Sequence, residues 1–380
     1  MLLIKNIKIV FLDNTSEGSI LIENNRIKAI NPSYEVDCDV IDGKGLYLSP
    51  GFIDVHIHGA GGYDTMDGTY TALNEIAKTI VKHGTTSFLP TTMTVSADDI
   101  NKSVEAIAYA VEEGTDGANI LGVHLEGPFI SPDMIGAQNP SFILKPTIEN
   151  FKKIVGDNIR IIKAITIAPE VDGAKELIKF LHQNEIVVSI GHSKATYEEA
   201  IDAINTGVSH STHLFNAMTP LHHREPGVVG AIFDTSITTE TISDGIHIAY
   251  PSLRSAYKIK GLDKVLLVSD AMMACCMPDG DYSLGGQKVI MKEGAARLTN
   301  GSLAGSVLTL DKAVRNVKRN TNYALHEIIK MATYNAAKHC KVENKKGLIK
   351  EGYDADLILF DGNINVKLAL VNGKIVYKDI

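Results

Sequence analysis

Two histidines separated by one residue, His56-Ile57-His58, stand at the end of an apolar run. On a β-strand, residues two apart send their side chains to the same face, so two imidazoles placed this way can share a metal ion. A hydrogen-bonded core pair is the bland alternative for such a spacing taken alone. Further along the chain, other strand-like runs end in His124-Leu125-Glu126, Gly191-His192-Ser193, His210-Ser211-Thr212-His213, Asp244-Gly245-Ile246-His247 and Ser269-Asp270-Ala271. If those runs are neighbouring strands, Glu126, His192 and His213 join His56 and His58 as ligands. Mixed imidazole and carboxylate donors suit Zn²⁺, with Fe²⁺, Mn²⁺ or Co²⁺ also compatible. Such an ion lowers the pKa of bound water from about 15.7 to about 7 and polarises a carbonyl, which makes hydrolysis the expected chemistry. Asp270, ending the run VLLVSDA, can take the proton of that water and pass it to a leaving amine. Its alternative is a helix cap.

These ends can meet only if the chain builds a parallel strand array. Eight strand-like segments can be read, at 51–58, 85–91, 119–127, 161–170, 186–192, 208–215, 238–247 and 264–271. They alternate with helix-length amphipathic segments that include 70–83, 97–113, 173–184 and 196–205. The alternation predicts an α/β fold, a TIM-like (β/α)8 barrel over residues 51–348, with chemistry at the C-terminal ends of the strands. The two chain ends have a different texture of short strands broken by turns. Residues 1–50 and 349–380 are therefore expected to form one small β-sandwich domain.

Composition narrows the function class. The 380 residues are 44% hydrophobic, enough for a sizeable core, and 37 basic against 45 acidic residues give a net charge of −8. No basic stretch suits a nucleic-acid partner. Lys5 and Lys8 interrupt the N-terminal apolar run, and no segment approaches the ~18 apolar residues of a membrane span, so a cytoplasmic protein is expected. Cys38, Cys275, Cys276 and Cys340 are too few and too irregularly spaced for a disulfide framework or a paired Cys-x-x-Cys zinc site. The adjacent pair Cys275-Cys276 reads as loop, unsuited to a chelate or a triad. Met272, Met273 and Met277 read as apolar loop lining, and Gly59-Ala60-Gly61-Gly62 as a tight loop beside the histidine pair.

The motifs together resemble the amidohydrolase superfamily and, within it, the family of N-acetylglucosamine-6-phosphate deacetylases. The segments SPGFIDVHIHGAGG, HLEGPF, GHS, STHLFNAMTPLHHREPGVVGAI, ISDGIHI, LVSDAM, LAGSVLTLD and GYDADLILFD carry the likeness along the whole chain, and HLEGPF with THLFNAM is its specific part. The resemblance implies that Glu126, His192 and His213 hold the principal metal, that His56 and His58 hold a second ion bridged by Glu126, and that Asp270 is the catalytic acid and base. One or two divalent ions per subunit follow from it. It also implies that Asn216 and the Ala217 backbone lie near a substrate phosphate, that His247 meets sugar hydroxyls, and that Arg224 clamps the phosphate from its own or a neighbouring subunit of a homodimer. Some relatives place a histidine in a Gly-Thr-His-Asn-Pro segment to help polarise the acetyl carbonyl. This chain has Gln138 there, in a substrate-binding position, able to donate a hydrogen bond but not to carry charge. The implied reaction cleaves the acetamide of N-acetylglucosamine 6-phosphate to glucosamine 6-phosphate and acetate. An amidohydrolase acting on a cyclic amide or another N-acetyl compound is the rival enzyme, and a non-catalytic scaffold the rival outside catalysis.

Overall fold

A computed structural model describes residues 1–33 and 37–380. Eight strands run through its centre: β1 (Phe52–Ile57), β2 (Thr85–Pro90), β3 (Val123–Glu126), β4 (Ile162–Ile167), β5 (Val187–Ile190), β6 (Val208–Ser211), β7 (Thr238–Ile242) and β8 (Val265–Val268). β1 pairs with β2, and β3 to β8 pair in sequence order, all in parallel. Single parallel bridges, Thr91 to His124 and Ile57 to Ala271, lie between the two arcs. Strands of a parallel sheet covered on both faces must be apolar or hydrogen-bonded throughout. β1 and β2 accordingly have no exposed residue.

The intervening helices follow local signals. The helix Ala97–Glu113 begins where the Ser96 hydroxyl accepts the Asp99 N–H, buries Ile100, Val104 and Ile107 on one stripe, and stops at Gly114. Tyr197–Thr206 starts on a reciprocal capping box between Thr196 and Glu199. Tyr70–Ile80 and Ala174–Gln183 match the other two expected segments, the first running on as a 3-10 turn, Val81–His83. This is a TIM-barrel-type α/β arrangement. No helix among the described residues is long and apolar enough to cross a membrane.

Both chain ends enter one further sheet. Tyr47–Pro50 lies between Leu2–Val10, which it joins in parallel, and Leu357–Phe360, which it joins antiparallel. Thr15–Glu23 and Arg26–Ile30 continue one side, Val366–Val371 and Lys374–Lys378 the other, and Asp39–Asp42 pairs with the first strand. Ile4, Ile20, Ile22, Leu357, Leu368 and Leu370 share a core of their own. Tyr47–Pro50 leads through Gly51 directly into β1, so this sheet fixes where the first pair of histidines begins.

One element was not expected. After β8, Gly280–Leu284, Gln287–Lys292 and Ala295–Leu298 form a three-stranded antiparallel sheet. Its core takes in Met93, Met272, Leu284 and Val289, so Met272 is packed core rather than loop lining. The signal was present in alternating apolar residues around the turn pairs Gly285-Gly286 and Glu293-Gly294.

Lys346 joins the C-terminal segment to the rest. Its ammonium pairs with Asp354 at 3.0 Å and with Asp356, all three side chains being under 9% exposed. Asp356 also accepts the Asn372 N–H at 2.6 Å. Removing one member of a buried ion network leaves its partners charged and dry. Lys346→Met is expected to lower the unfolding free energy by about 3–5 kcal/mol, read from denaturant midpoints; a loss within experimental scatter would contradict this role.

Candidate active site and metal centre

The C-terminal ends of the strands place six ionisable groups around one point. His56 is in β1 and His58 just beyond it, Glu126 ends β3, and His192, His213 and Asp270 each lie two residues past β5, β6 and β8. His192, His213 and Asp270 have φ of +48°, +23° and +49°. Non-glycine residues rarely adopt this left-handed region, and its concentration at one rim marks backbone held in place for function. All six residues are buried, none above 7% exposed.

Glu126 is the hub. Its Oε1 lies 3.0 Å from His213 Nε2, 3.3 Å from His192 Nε2 and 3.4 Å from His56 Nε2, while Oε2 lies 3.3 Å from His58 Nε2. Asp270 Oδ1 lies 3.2 Å from His58 Nε2 and 3.4 Å from His56 Nε2. The histidine nitrogens also face one another, His192 to His213 at 3.1 Å and His56 to His58 at 3.3 Å.

The far sides of the rings decide what those nitrogens are. His192 Nδ1 meets the Met134 carbonyl at 2.9 Å and His58 Nδ1 the Thr91 carbonyl at 3.2 Å. His56 Nδ1 meets Glu240 Oε2 at 2.9 Å. Each partner is an acceptor only, so each Nδ1 carries the proton and each neutral Nε2 presents a lone pair to the cluster. Lone pairs facing lone pairs and carboxylates call for positive charge between them, a proton or a metal ion. Burial disfavours the charged form of His58, but Asp270 and Glu126 outweigh it and push its pKa up to about 9. The pocket draws in positive charge. The donor sets Glu126–His192–His213 and His56–His58–Glu126 therefore fit divalent metal ions by geometry, and His56, His58 and His192 also by tautomer.

Glu240, in the middle of β7, was missed by sequence reasoning. Its Oε2 accepts from both His56 Nδ1 and the His213 N–H, and Oε1 lies 3.3 Å from His210 Nε2. Burial would push its carboxyl up, yet His56 and His210 outweigh that and hold it well below the carboxylate range. One buried carboxylate thus orients ligands of both candidate metal sets. A third grouping, His56–His124–Glu240, is structural. Both His124 nitrogens are occupied, by the Val55 carbonyl and the Thr166 hydroxyl, and burial together with His56 brings its pKa down to about 3.

A cavity of about 350 Å³ opens above the cluster, lined among others by Gln138, Asn216, Ala217, His247 and Leu284. Gln138 donates to Glu126 Oε2 at 2.7 Å and accepts the Thr94 N–H at 2.7 Å, so its amide positions the hub carboxylate. His247 Nδ1 is tied to Asp244 at 2.7 Å. Asn216 donates to the His213 and Leu214 carbonyls. Arg224 is not brought to this cavity. It is exposed on the loop after Ala217, against His223, and lines a separate cavity of about 500 Å³ with Lys194, Tyr197 and His222.

A TIM-type barrel with imidazoles and carboxylates at its C-terminal rim defines a metal-dependent hydrolase. The chain belongs to the amidohydrolase family, whose model, described as "Amidohydrolase family", matches residues 47–376. It is 41% identical over 377 residues to an N-acetylglucosamine-6-phosphate deacetylase from Lysinibacillus sphaericus, covering 98% of this chain and 97% of that one. It is 34% identical over 367 residues to an N-acetylgalactosamine-6-phosphate deacetylase from Escherichia coli O157:H7, covering 95% and 96%. Among solved structures it resembles a mutant N-acetyl-D-glucosamine-6-phosphate deacetylase from Mycobacterium smegmatis in complex with N-acetyl-D-glucosamine-6-phosphate. That likeness has a TM-score of 0.92 at 29% identity and covers 99% and 98% of the two chains.

Glu240→Gln keeps the shape of the side chain but removes its charge from His56 and His213. Divalent-metal affinity is expected to fall about 10–100-fold, the usual cost of losing a carboxylate behind a ligand histidine, as read by chelator competition. Unchanged affinity would show that Glu240 does not hold the ligand rings.

Proposed function

We propose that this protein hydrolyses the acetamide of N-acetylglucosamine 6-phosphate, releasing acetate and glucosamine 6-phosphate. The observation that carries the reading is the buried convergence of oriented Nε2 atoms and two carboxylates under a cavity of sugar-phosphate size. Glu126, His192 and His213 are the proposed ligands of one ion, and His56 and His58, with Glu126 shared, of a second. A bound ion would supply Lewis acidity and a water acidified to about 7. Mixed nitrogen and oxygen donors support zinc.

Asp270 takes the proton as water attacks the acetyl carbon, and returns it to the amide nitrogen as the carbon–nitrogen bond breaks. Burial raises its carboxyl, but His56 and His58 outweigh that and keep it below its usual range, the deprotonated state a base needs. Gln138 holds Glu126 while the acetyl group is bound. His247, fixed by Asp244, faces the sugar hydroxyls, and Asn216 with the Ala217 backbone lies at the phosphate end. Arg224 is the proposed phosphate clamp. Its exposure outside its own subunit's pocket supports delivery across a homodimer interface.

The same reading extends to architecture. The bridges Thr91 to His124 and Ile57 to Ala271 support closure of the eight strands into a ring over residues 51–348. The shared core of Ile20, Ile22, Leu368 and Leu370 supports a sandwich-like domain from residues 1–50 and 349–380. Four free cysteines and the absence of a candidate spanning helix among the described residues are consistent with the cytoplasm.

Acetate release from N-acetylglucosamine 6-phosphate, measured with and without chelator, tests the activity directly. Turnover that chelator abolishes and metal restores is expected; none from metal-loaded protein would overturn it. The galactosamine epimer belongs beside it, because a relative at 34% identity is named for that substrate. Faster turnover of the epimer would reassign the sugar and leave the hydrolytic centre standing. Asp270→Asn should lower kcat about 10²–10⁴-fold with metal content retained. Parallel loss of metal and activity would make Asp270 a ligand.

A further inference from the structure

Outside the metal centre, the loop after β8 carries two cysteines that the deacetylation does not use. Cys276 is exposed, and its Sγ lies 3.3 Å from Nε2 of His83, which ends the 3-10 turn Val81–His83. His83 Nδ1 lies 3.4 Å from Asp311 Oδ1, in the first turn of the helix Leu310–Asn320. Asp311 is buried and held by the Thr309 hydroxyl at 2.5 Å and by Arg315 at 3.4 Å. Cys275 is buried, with its sulfur 3.8 Å from that of Cys276. Nucleophile, base and orienting carboxylate stand in line, drawn from three elements, with a second thiol within reach.

We propose that Cys276, His83 and Asp311 form a thiol-activating relay whose substrate is a hydroperoxide, with Cys275 as the resolving thiol. The relay departs from the reading of Cys275-Cys276 as loop, since the partners of Cys276 are 193 residues upstream and 35 downstream. Neither the metal-site cavity nor the cavity beside Arg224 includes Cys276, so the relay is separate from both. In the first step the Cys276 thiolate attacks one peroxide oxygen and the oxygen–oxygen bond breaks. The leaving hydroxide or alkoxide takes the proton held on His83, giving water or an alcohol and Cys276 sulfenic acid. In the second step the Cys275 thiol attacks the sulfenic sulfur, the sulfur–oxygen bond breaks, and water leaves with the thiol proton. The protein gains one disulfide, and the peroxide gains the two electrons and two protons given up by the two thiols.

The charges around the relay agree with this direction. The contact with Cys275 lowers the Cys276 thiol most; burial opposes, His83 and Lys312 add to the fall, and the group comes to about 5. Burial alone would lower His83, but Asp311 and Cys276 outweigh it and bring it to about 9. The Cys275 thiol is raised by the same sulfur contact and by burial, with Lys312 opposing and Asp54 reinforcing, so it stays protonated. Between about pH 5 and 9 the pair is thiolate and imidazolium.

The test uses the reduced, metal-loaded enzyme, with deacetylase turnover as the check of folding. At about pH 6 a thiol of pKa about 5 has roughly 300 times the thiolate fraction of an ordinary cysteine. Its weaker nucleophilicity takes back about 40-fold, so iodoacetamide should label Cys276 about 8-fold faster than N-acetylcysteine. Peptide mapping reads the site. His83→Gln should lower the excess rate, and Asp311→Asn should lower it less, while turnover persists. Hydrogen peroxide should convert the peptide holding both cysteines to a form lighter by two hydrogens, and Cys275→Ser should leave a sulfenic acid that dimedone traps. Labelling no faster than N-acetylcysteine, labelling indifferent to His83→Gln, or peroxide that leaves Cys276 reduced would each overturn the proposal.

Discussion

Four imidazoles and two carboxylates are packed where water barely reaches, and the rings of His56, His58 and His192 are turned so that Nδ1 meets an acceptor and Nε2 points inward. Burying one ionised carboxylate costs several kcal/mol unless opposite charge is supplied close by. Here the hydrogen bonds on the outer faces of the rings spend the Nδ1 protons on the Thr91 and Met134 carbonyls and on Glu240, so neutral rings have none left for Glu126 or Asp270. The two carboxylates call for positive charge that the Nε2 atoms can share, either protons, which His56 and His58 are poised to take, or an ion that all of them can approach. A divalent metal meets that demand.

The rest of the chain makes this arrangement rigid. Parallel strands bring residues distant in sequence to one rim, and the left-handed turns at His192, His213 and Asp270 aim side chains that an extended backbone would direct elsewhere. The sheet formed from both chain ends anchors the start of β1. The three-stranded sheet after β8 brings Leu284 to the cavity wall and, through Gln287, bonds to the Ala137 carbonyl beside Gln138. Gln138 in turn holds Glu126, so the wall of the cavity and the hub carboxylate are linked through one side chain.

Much of this was legible because chemistry and strand ends coincide. His56, His58, Glu126, His192, His213 and Asp270 each stand at or just past the end of a strand-like run, which is where a parallel barrel puts its reacting groups. Ends of elements were less legible: the fourth segment, expected to reach Glu170, ends as strand at Ile167, before the turn at Pro169. Glu240 escaped notice because, in TTETI, a glutamate between threonines reads as a solvated strand face, whereas it points into the barrel and is fully buried. Arg224 was legible as a residue apt for phosphate but not as a location, since its loop carries it away from the cavity above the histidine cluster. His83 and Cys276 lay beyond sequence reasoning, because no periodicity connects residues that meet only when a helix end packs against a distant loop.

X-ray absorption of the zinc-loaded protein tests the central claim most directly. Only nitrogen and oxygen neighbours are predicted, at about 2.0–2.2 Å, with the multiple-scattering pattern of imidazole. A sulfur shell near about 2.3 Å would place the ion with the cysteines instead, and contradict the assignment of the histidine and glutamate cluster as the metal centre.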